Sequence, residues 1–426
     1  MALFGALSTS RSGLINTGAA LSVIGNNIAN VGTVGFKGSR TEFADLISAD
    51  GGGEVGKVGL GSRISAVRTL FTQGAIESTG RNLDLGIEGE GFFVLRDGQG
   101  QVYTRAGNFQ LQADGTVTNN TGDPLQGIAL NPDGTFAGGI QDVTVAGLTS
   151  QARATTSASL SGNLQADSAL KGNPPGTFDP TSFQSAINTS DYFTQMKVYD
   201  SLGASHDLNV FFTRTGSNTW AVNMGVDAGE TGGTAGQLQI VNSGGSVSFN
   251  PDGTINTIAG NTATVSFTSA QPNQQIDLDL GSPNQLDGLG QFAAPSGLNF
   301  VSQDGYGAGG LTTLNVDKNG IVSAAFDNGQ TRPLFQLSIA RFSAPEGLQP
   351  SGNQLYRETM GSGPAAISTA GTQGNGTIVS SALEQSNVQI AQEFIDLIST
   401  QRSFQANTRV ITASDTLLGD LINIIR

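Results

Sequence analysis

Cysteine is absent from the 426-residue chain, and histidine occurs once, at His206. Thiolate zinc sites, iron–sulfur clusters, disulfides and thiol nucleophiles are therefore excluded. Charged residues are sparse at 13%, and 20 basic residues face 34 acidic ones, which gives a net charge of −14. A sparse and acidic surface argues against nucleic acid or an anionic membrane as the main partner.

Long hydrophobic runs are also absent. No apolar segment approaches the roughly 20 residues that a membrane-spanning helix needs. The segment 1–10 has neither a basic n-region nor a long apolar h-region, so a cleaved secretory signal is not expected. If the protein leaves the cell, we expect a route that needs no cleaved signal.

Between residues 71 and 356 the pattern favours β-structure. Short alternating runs are separated by Asp-Gly and Asn-Gly pairs, which suit tight hairpin turns. None of these pairs has the acidic spacing of a calcium-binding loop. The pairs begin at Asp114, Asp133, Asp252, Asn319 and Asn328.

A smaller β-module is predicted inside the larger one. The Ala-, Ser-, Gly- and Pro-rich stretch 151–180 is typical of a domain boundary, and 281–310 is typical of the return crossing. The runs 192–199, 207–213 and 220–226 between them predict a meander. Residues 146–300 hold 11 acidic and 4 basic residues, a net −7, which favours a solvated outer position.

Both chain ends predict helices with a seven-residue apolar repeat, which is typical of a coiled-coil seam. Ser381 followed by Glu384 matches a capping box and predicts where the C-terminal helix begins. Residues 1–35 carry one charge, Arg11, so we expect burial against other helices. The predicted assembly seam consists of Leu7, Leu14, Leu21, Ile28, Leu383, Ile390, Leu397, Phe404, Ile411, Leu418 and Ile425.

These patterns predict a mainly β protein with α-helical termini, in which nested, discontinuous β-domains are built on a coiled-coil-like helix pair. The domain prediction has four parts. They are a terminal helical domain (1–30 and 378–426), extended connecting segments (31–72 and 361–377), an inner β-domain (73–145 and 301–360) and an outer β-domain (146–300).

Three motifs match phosphate-binding or catalytic patterns only weakly. The stretch Gly51–Val58 fails as a phosphate-binding loop because Val58 stands where a hydroxyl should be. Ser205, His206 and Asp207 are consecutive. Because neighbouring side chains on a strand point to opposite faces, these three cannot form a catalytic Ser-His-Asp arrangement. Asp277 and Asp279 share a strand face, but solvated surface is the preferred interpretation. We therefore predict no enzyme activity, no cofactor and no metal.

Several short motifs, at both ends of the chain and in the first β-module, resemble those of one protein family. The N-terminal stretch 23–37, the stretches 91–93 and 103–109, and the C-terminal stretches 383–388 and 401–407 are each similar to signatures of the axial rod and hook proteins of the bacterial flagellum. The family motif residues are Gly25, Asn26, Asn27, Asn30, Gly35, Phe36 and Lys37.

Two features favour the hook members of this family over the rod members. The first is length, because removing 146–300 leaves a chain the size of a distal rod subunit. The second is the middle itself, where 178–180 and 198–203 resemble the outer domain of hook members. A distal rod protein with an inserted domain remains an alternative, and a secreted β-rich carbohydrate-active or adhesive protein is the alternative from another class.

The resemblance implies a structural subunit that polymerises with itself into a curved tube, a flexible joint that passes motor torque to the filament. It implies export through the flagellar type III apparatus to an extracellular location in the flagellar hook. The implied partners are the distal rod protein, the hook cap protein and the hook–filament junction protein, with no nucleic acid and no membrane insertion. The chain ends are expected to be disordered before assembly and to fold on docking.

Overall fold

The structure is a computed structural model that describes residues 2–47, 59–242 and 244–425. Long helices lie at the two ends, α1 (Ala2–Ala29) and α3 (Ile390–Ile425), and a short helix α2 (Phe183–Thr189) lies in the middle. Most other regular elements in these ranges are strands, so the predicted mainly β fold with helical termini is confirmed.

The first strands of the chain are β1 (Ser39–Ile47), β2 (Gly59–Thr69), β3 (Ile76–Ser78), β4 (Leu85–Glu88), β5 (Phe92–Asp97), β6 (Gly100–Thr104), β7 (Gln110–Leu111), β8 (Val117–Thr118), β9 (Gln126–Leu130) and β10 (Phe136–Asp142). The middle strands are β11 (Thr149–Ser150), β12 (Ser157–Gln165), β13 (Tyr192–Tyr199), β14 (Ser205–Gly216), β15 (Thr219–Asp227), β16 (Leu238–Ile240), β17 (Gly245–Phe249), β18 (Ile255–Ala259), β19 (Thr262–Val265), β20 (Gln274–Asp279), β21 (Leu289–Phe292) and β22 (Gly297–Gln303). The last strands are β23 (Gly309–Val316), β24 (Ile321–Phe326), β25 (Thr331–Arg341), β26 (Gln349–Gly352), β27 (Leu355–Arg357), β28 (Ala366–Thr369), β29 (Thr377–Ser380) and β30 (Ala382–Glu384).

The chain divides into two compact units. The terminal unit comprises residues 1–147, 313–325 and 331–426, and the inserted unit comprises 148–312 and 326–330. Because the inserted unit interrupts the terminal unit, the terminal unit is built from segments that are distant in sequence. The outer domain predicted at 146–300 overlaps most of the inserted unit, which begins at 148 and extends to 312.

The inserted unit is made of two sheets. In one, β13, β14, β15, β17 and β18 follow one another in antiparallel order, with β16 beside β15. This sheet contains the meander predicted from the sequence. In the other sheet, β12 pairs in parallel with β20 and β21 and antiparallel with β22.

One hydrophobic core fills the inserted unit. Alternate side chains of its strands point inwards, as the two-residue period of a strand requires. In β20, for example, Ile276 and Leu278 are buried while Asp277 and Asp279 are exposed. The same core contains Trp220, the single tryptophan of the chain, at 1% exposure.

A second, aromatic core lies in the terminal unit. There the strand order runs β24, β25, β5, β6, β27 and β26, with β9 and β28 also paired to β25. The ring of Phe71 meets Phe92 edge-on at 5.4 Å and Tyr356 at 5.3 Å, and Tyr103 meets Phe342 at 4.8 Å. Edge-to-face aromatic pairs of this kind stabilise a core beyond the area that they bury.

Residues 31–72 were expected to form an extended connection, but part of this stretch folds back on itself. Strands β1 and β2 pair antiparallel, from Ser39 opposite Thr69 to Ile47 opposite Gly59. The hairpin packs on α1, where Asn16 Nδ2 donates a hydrogen bond to Ser62 Oγ at 2.8 Å. The weak phosphate-loop motif Gly51–Val58 lies outside the described residues.

The Asp-Gly and Asn-Gly pairs are turns, as predicted. Their glycines have φ between 77° and 88°. This is the left-handed region, which glycine adopts readily in tight turns. Two turns share the sequence Asn-Pro-Asp-Gly-Thr, at 131–135 and 250–254, and share their bonding. In each, the threonine N–H donates to the aspartate Oδ1, at 2.9 Å and 3.0 Å respectively.

Candidate assembly surface and terminal junction

The helices α1 and α3 lie side by side and run in opposite directions. Asn27 Nδ2 donates a hydrogen bond to Glu393 Oε1 at 3.0 Å. Further along, Gly13 lies so close to Asn407 that a Cβ at position 13 would be 2.7 Å from Asn407 Nδ2. Because the position on α3 rises as the position on α1 falls, the pair is antiparallel.

Small and polar side chains occupy the buried positions of α1. They are Ser10, Asn16, Ala20 and Asn27. On α3 the one buried side chain within the described part is Ser414, and Leu397, Thr400, Asn407 and Ile411 are half-buried. The contact between the helices is thus mixed in character, rather than a continuous row of leucines.

The predicted seam is only partly covered within one chain. Its α1 members are all half-buried, namely Leu7, Leu14, Leu21 and Ile28. On α3, Ile390 is 46% exposed and Phe404 is 38% exposed, whereas Leu397 and Ile411 are half-buried. The side chains of Leu418 and Ile425 lie outside the described part of the structure. A seven-residue step turns an ideal helix by about 20° less than two full turns, so the repeat drifts away from a single neighbouring helix.

Helix α3 also exposes a broad apolar face. More than a third of each of seven large side chains is accessible, namely Ile390, Phe394, Ile395, Ile398, Phe404, Val410 and Leu417. A monomeric soluble protein rarely exposes a large contiguous apolar patch, and large patches mark interaction sites. The two helices therefore carry more apolar surface than they can cover for each other.

The predicted start of the C-terminal helix after Ser381 is wrong. Leu383 lies in β30, which pairs antiparallel with β3, and α3 begins at Ile390. Ser381 has a left-handed φ of 56°, so it is not the extended N-cap that a capping box requires. The side chain of Glu384 does not turn back to a helix end, because it is engaged by two cations from distant segments.

Those two cations are Lys37 and Arg105. Lys37 Nζ lies 2.6 Å from Glu384 Oε1, and Arg105 Nη1 lies 3.2 Å from Glu384 Oε2. The side chains of Lys37 and Glu384 are fully buried, and that of Arg105 is 5% exposed. This cluster, called here the buried triad, joins the segment after α1, the residue that follows β6 and the last residue of β30.

Backbone groups add further hydrogen bonds to the triad. Lys37 Nζ donates to the carbonyl of Thr72 at 2.8 Å, and the N–H of Gly74 donates to Glu384 Oε1 at 2.8 Å. Arg105 Nη2 donates to the carbonyl of Gly89 at 2.8 Å. Burial lowers the pKa of Lys37 and the pKa of Arg105, while the charge of Glu384 opposes that change in both. One carboxylate thus holds two buried cations, and its loss would leave both without a counter-charge.

Two asparagine side chains stabilise the same region, because the amide group of each one both donates and accepts hydrogen bonds. Asn27 Nδ2 donates to the carbonyl of Ser39 at 2.8 Å, and its Oδ1 accepts from the N–H of Ser39 at 2.9 Å. Asn387 Oδ1 accepts from the N–H of Gly38 at 2.8 Å, and its Nδ2 donates to the carbonyl of Leu70 at 2.7 Å. Each amide uses both its donor and its acceptor, so the ends of α1, β1, β2 and α3 are held at fixed positions.

The other family motif residues shape the turn after α1. Gly35 has φ 68°, and a Cβ there would lie 2.5 Å from the amide nitrogen of Ala106, so only glycine fits. Asn30 Nδ2 donates to the carbonyl of Asn26 at 2.9 Å, and the carbonyl of Phe36 accepts from the N–H of Asn387 at 3.4 Å. Gly25 is exposed on α1 with open space around it. The structure therefore gives local roles to most of the motif but none to Gly25.

The sequence patterns placed Arg105 and Asn387 within family signatures without a role of their own, and they gave Glu384 the role of a capping-box residue. One signal was available for Glu384. An acidic residue directly after the apolar pair Ala382 and Leu383 in a strand-like run is uncommon, because a buried carboxylate needs a partner. The partners themselves could not be read from local spacing.

The weak chemical motifs form no reactive site within the described residues. His206 stacks on Phe267 with ring centroids 3.7 Å apart, and its Nε2 lies 3.2 Å from Asp200 Oδ2, while Ser205 and Asp207 are its chain neighbours. Asp277 Oδ1 accepts from Thr262 at 2.6 Å on an exposed face. No cluster of three or more potential metal ligands occurs in the described ranges. The described helices include none that is both long and apolar enough to cross a membrane.

Four family models match successive parts of the sequence. Their descriptions are "Flagella basal body rod protein" for residues 7–37, "Flagellar hook protein FlgE/F/G D1 domain" for 86–156, "Flagellar basal body protein FlaE D2 domain" for 163–306 and "Flagellar basal body rod FlgEFG protein C-terminal" for 379–424. The first and last of these contain Lys37 and Glu384, the two residues of the shortest contact in the buried triad.

Three relatives are similar to the chain over nearly its whole length. The "Flagellar hook protein FlgE" of Escherichia coli (strain K12) is 34% identical over 427 residues, which cover 98% of this chain and 100% of the relative. Its namesake in Treponema pallidum (strain Nichols) is 32% identical, with 97% and 98% covered. That of Salmonella typhimurium (strain LT2) is 33% identical, with 97% and 98% covered.

Proposed function

The chain belongs to the flagellar hook protein FlgE family, and from that premise we propose how its two ends build a polymer. It is a structural subunit of the flagellar hook and a member of a family that is not an enzyme family. Its place is the hook of the flagellum. The proposal concerns the contacts, the export route and the bending of the polymer.

The end helices of neighbouring copies pack together to form the inner wall of a tube. The observation that carries this proposal is the exposed apolar face of α3, with the half-buried leucines of α1 beside it. Packing against further helices would remove that surface from water, at about 25 cal/mol for each Å² covered. A head-to-tail contact that does not close on itself yields an open helix of subunits.

Export and further partners follow from the same role. The chain passes unfolded through the flagellar type III apparatus and takes its place outside the cell, a route that the absence of cysteine suits. At its two ends the hook meets the distal rod protein and the hook–filament junction protein, and the hook cap protein covers the growing end. No nucleic acid and no membrane insertion are part of this role.

The inserted unit forms the outer layer and sets the curvature of the tube. Its own closed core and its acidic surface support this assignment. Polar contacts between outer units can slide past one another at a small cost in free energy, whereas tightly packed apolar contacts cannot. The tube can then bend while it turns and can transmit torque from the motor to the filament.

Removal of α3 alone tests the assembly proposal. A chain ending at Gln389 keeps β30, Glu384 and the buried triad, so both units should stay folded. We expect no tubes by electron microscopy and an unchanged unfolding transition of the inserted unit, followed by Trp220 fluorescence. The matched control is a chain truncated after Ile411, which keeps the first turns of α3 and should polymerise weakly. Tubes of normal appearance from the chain ending at Gln389 would contradict the proposal.

A further inference from the structure

A cleft of about 380 Å³ lies where α1, α3 and the β1–β2 hairpin meet. Its apolar lining comes from α1 and the hairpin, namely Ala20, Val23, Ile24, Phe43 and Leu70. Phe43 is 50% exposed and Leu70 is 37% exposed, so the apolar lining is open to solvent. A groove with such a lining gains free energy when an apolar side chain covers it.

One side of this cleft is acidic. Glu393 and Asp396 both lie on it, one helical turn apart on α3. Among the described residues, no basic side chain forms an ion pair with either carboxylate, and Arg40 at the rim pairs with Glu42 at 3.3 Å. Burial and then the charge of Asp396 raise the pKa of Glu393, while the bond from Asn27 opposes them. The cleft therefore presents negative charge that this chain does not neutralise.

Another side of α3 carries the opposite charge. Successive residues of a helix are 100° apart, so Ile395, Ile398, Arg402, Ala406 and Arg409 form one stripe, turned about 120° from Asp396. Both arginines are exposed, and neither makes an ion pair within the described residues. The stripe combines apolar side chains with two guanidinium groups, which is the chemistry that complements an apolar cleft with acidic walls.

We propose that the cleft binds helix α3 of a second copy of this chain, with Ile398 against the apolar lining and Arg402 facing Glu393 and Asp396. This inference rests on the proposed function and adds to it the residues of one contact. The cleft and the stripe lie on different sides of the same helix, so the contact is heterologous, which is the kind of contact that an open helix of subunits requires. Charge complementarity then sets the register of neighbouring copies.

A charge swap tests the contact. Asp396→Arg and Arg402→Asp both alter exposed side chains, so the fold should persist, as circular dichroism can verify. We expect each single variant to raise the critical concentration for polymerisation about tenfold, and the double variant to restore most of that loss. Arg402→Lys, which keeps the charge, should polymerise nearly as well as the wild type. Combining Arg402→Asp with Asp415→Arg restores the net charge of the helix elsewhere, and it should not rescue.

Disulfide trapping gives a second, independent measurement. The chain has no cysteine, so Asp396→Cys and Arg402→Cys can be introduced together on a clean background. Six residues span about 9 Å along a helix, and disulfides need Cα atoms within about 7 Å, so no bond can form within one helix. Oxidation of polymers should give a ladder of covalent multimers. A control chain with Asp415→Cys and Arg402→Cys should give only background.

The outcomes separate this contact from the proposed function. If wild-type chains form tubes and the single charge variants do so at an unchanged concentration, the contact is wrong and the proposed function stands. The same conclusion follows if the double variant polymerises no better than the singles and no ladder forms. If wild-type chains form no tubes, the proposed function fails and the contact fails with it.

Discussion

Replacing Glu384 with glutamine should destabilise the terminal unit and leave the inserted unit unaffected. The carboxylate is fully buried, with Lys37 Nζ at 2.6 Å and Arg105 Nη1 at 3.2 Å. Glutamine has nearly the same shape but no charge, so both cations stay buried without a counter-charge. Breaking a buried ion pair from one side costs about 3 to 5 kcal/mol. We expect the free energy of unfolding of the terminal unit to fall by that amount.

The chain contains its own control for this measurement. Trp220 is the single tryptophan and is buried in the inserted unit, so its fluorescence reports the unfolding of that unit alone. Hydrogen exchange of amides in β5, β6 and β30 reports the terminal unit. The variant should increase hydrogen exchange in the terminal unit and leave the unfolding transition seen by Trp220 fluorescence unchanged. An equal shift of both, or of neither, would refute the reasoning.

A second variant tests whether charge is the cause. Lys37→Met removes one cation, so the double variant with Glu384→Gln buries one unpaired charge instead of two. We expect the double variant to be more stable than Glu384→Gln by at least about 1 kcal/mol. If the decrease in the free energy of unfolding in the double variant equalled the sum of the decreases in the two single variants, packing and not charge would explain the effect.

The pH dependence has a defined sign. Burial lowers the pKa of Lys37 below its ordinary 10.5, so between the folded and the unfolded pKa the unfolded chain binds more protons. The free energy of unfolding therefore rises with pH through that window. In Glu384→Gln the opposing carboxylate is gone, so the window should extend to lower pH. Denaturation midpoints of the terminal unit at several alkaline pH values check this.

Two further changes have clear expected outcomes. Gly35→Ala should destabilise the terminal unit by about 1 to 3 kcal/mol because alanine is strained at φ 68°, whereas Gly32→Ala, with open space around it, should be nearly neutral in the same denaturation assay. Replacing 148–312 by a short Gly/Ser linker should leave chains that assemble into tubes without defined curvature. Normally curved hooks in electron micrographs of cells carrying only that form would show that the inner layers set the curvature.

The sequence predicted those elements whose signal is local. The meander of β13, β14 and β15 follows from apolar runs separated by turn residues at 200–204 and 217–218, and the end helices follow from their apolar repeat. The predicted helix start after Ser381 was wrong because Ser381 and Glu384 match a capping box by spacing alone. What decides the conformation there is the pairing of Glu384 with Lys37 and Arg105, at separations of 347 and 279 residues. A local pattern holds no information about partners so far away.

The β1–β2 hairpin was missed for a related reason. Its two strands are bridged by a Gly-rich stretch at 51–53 that carries no specific two-residue turn signal. The candidate assembly surface could likewise be predicted only in part. The apolar residues of the seam could be named from periodicity, but which of them one chain covers depends on how α1 and α3 pack. The cleft needs three elements to exist, and none of them predicts it alone.

The sequence separation within the buried triad also orders events during synthesis. Lys37 and Arg105 leave the ribosome early, whereas their shared carboxylate follows 347 residues after Lys37. Until then two cations that the finished fold buries have no anion to receive them, so the terminal unit stays open. The terminal unit as a whole joins segments that lie on either side of the inserted unit. Folding dominated by such distant pairings is slow. A newly made subunit therefore has an interval in which its terminal unit is still unfolded.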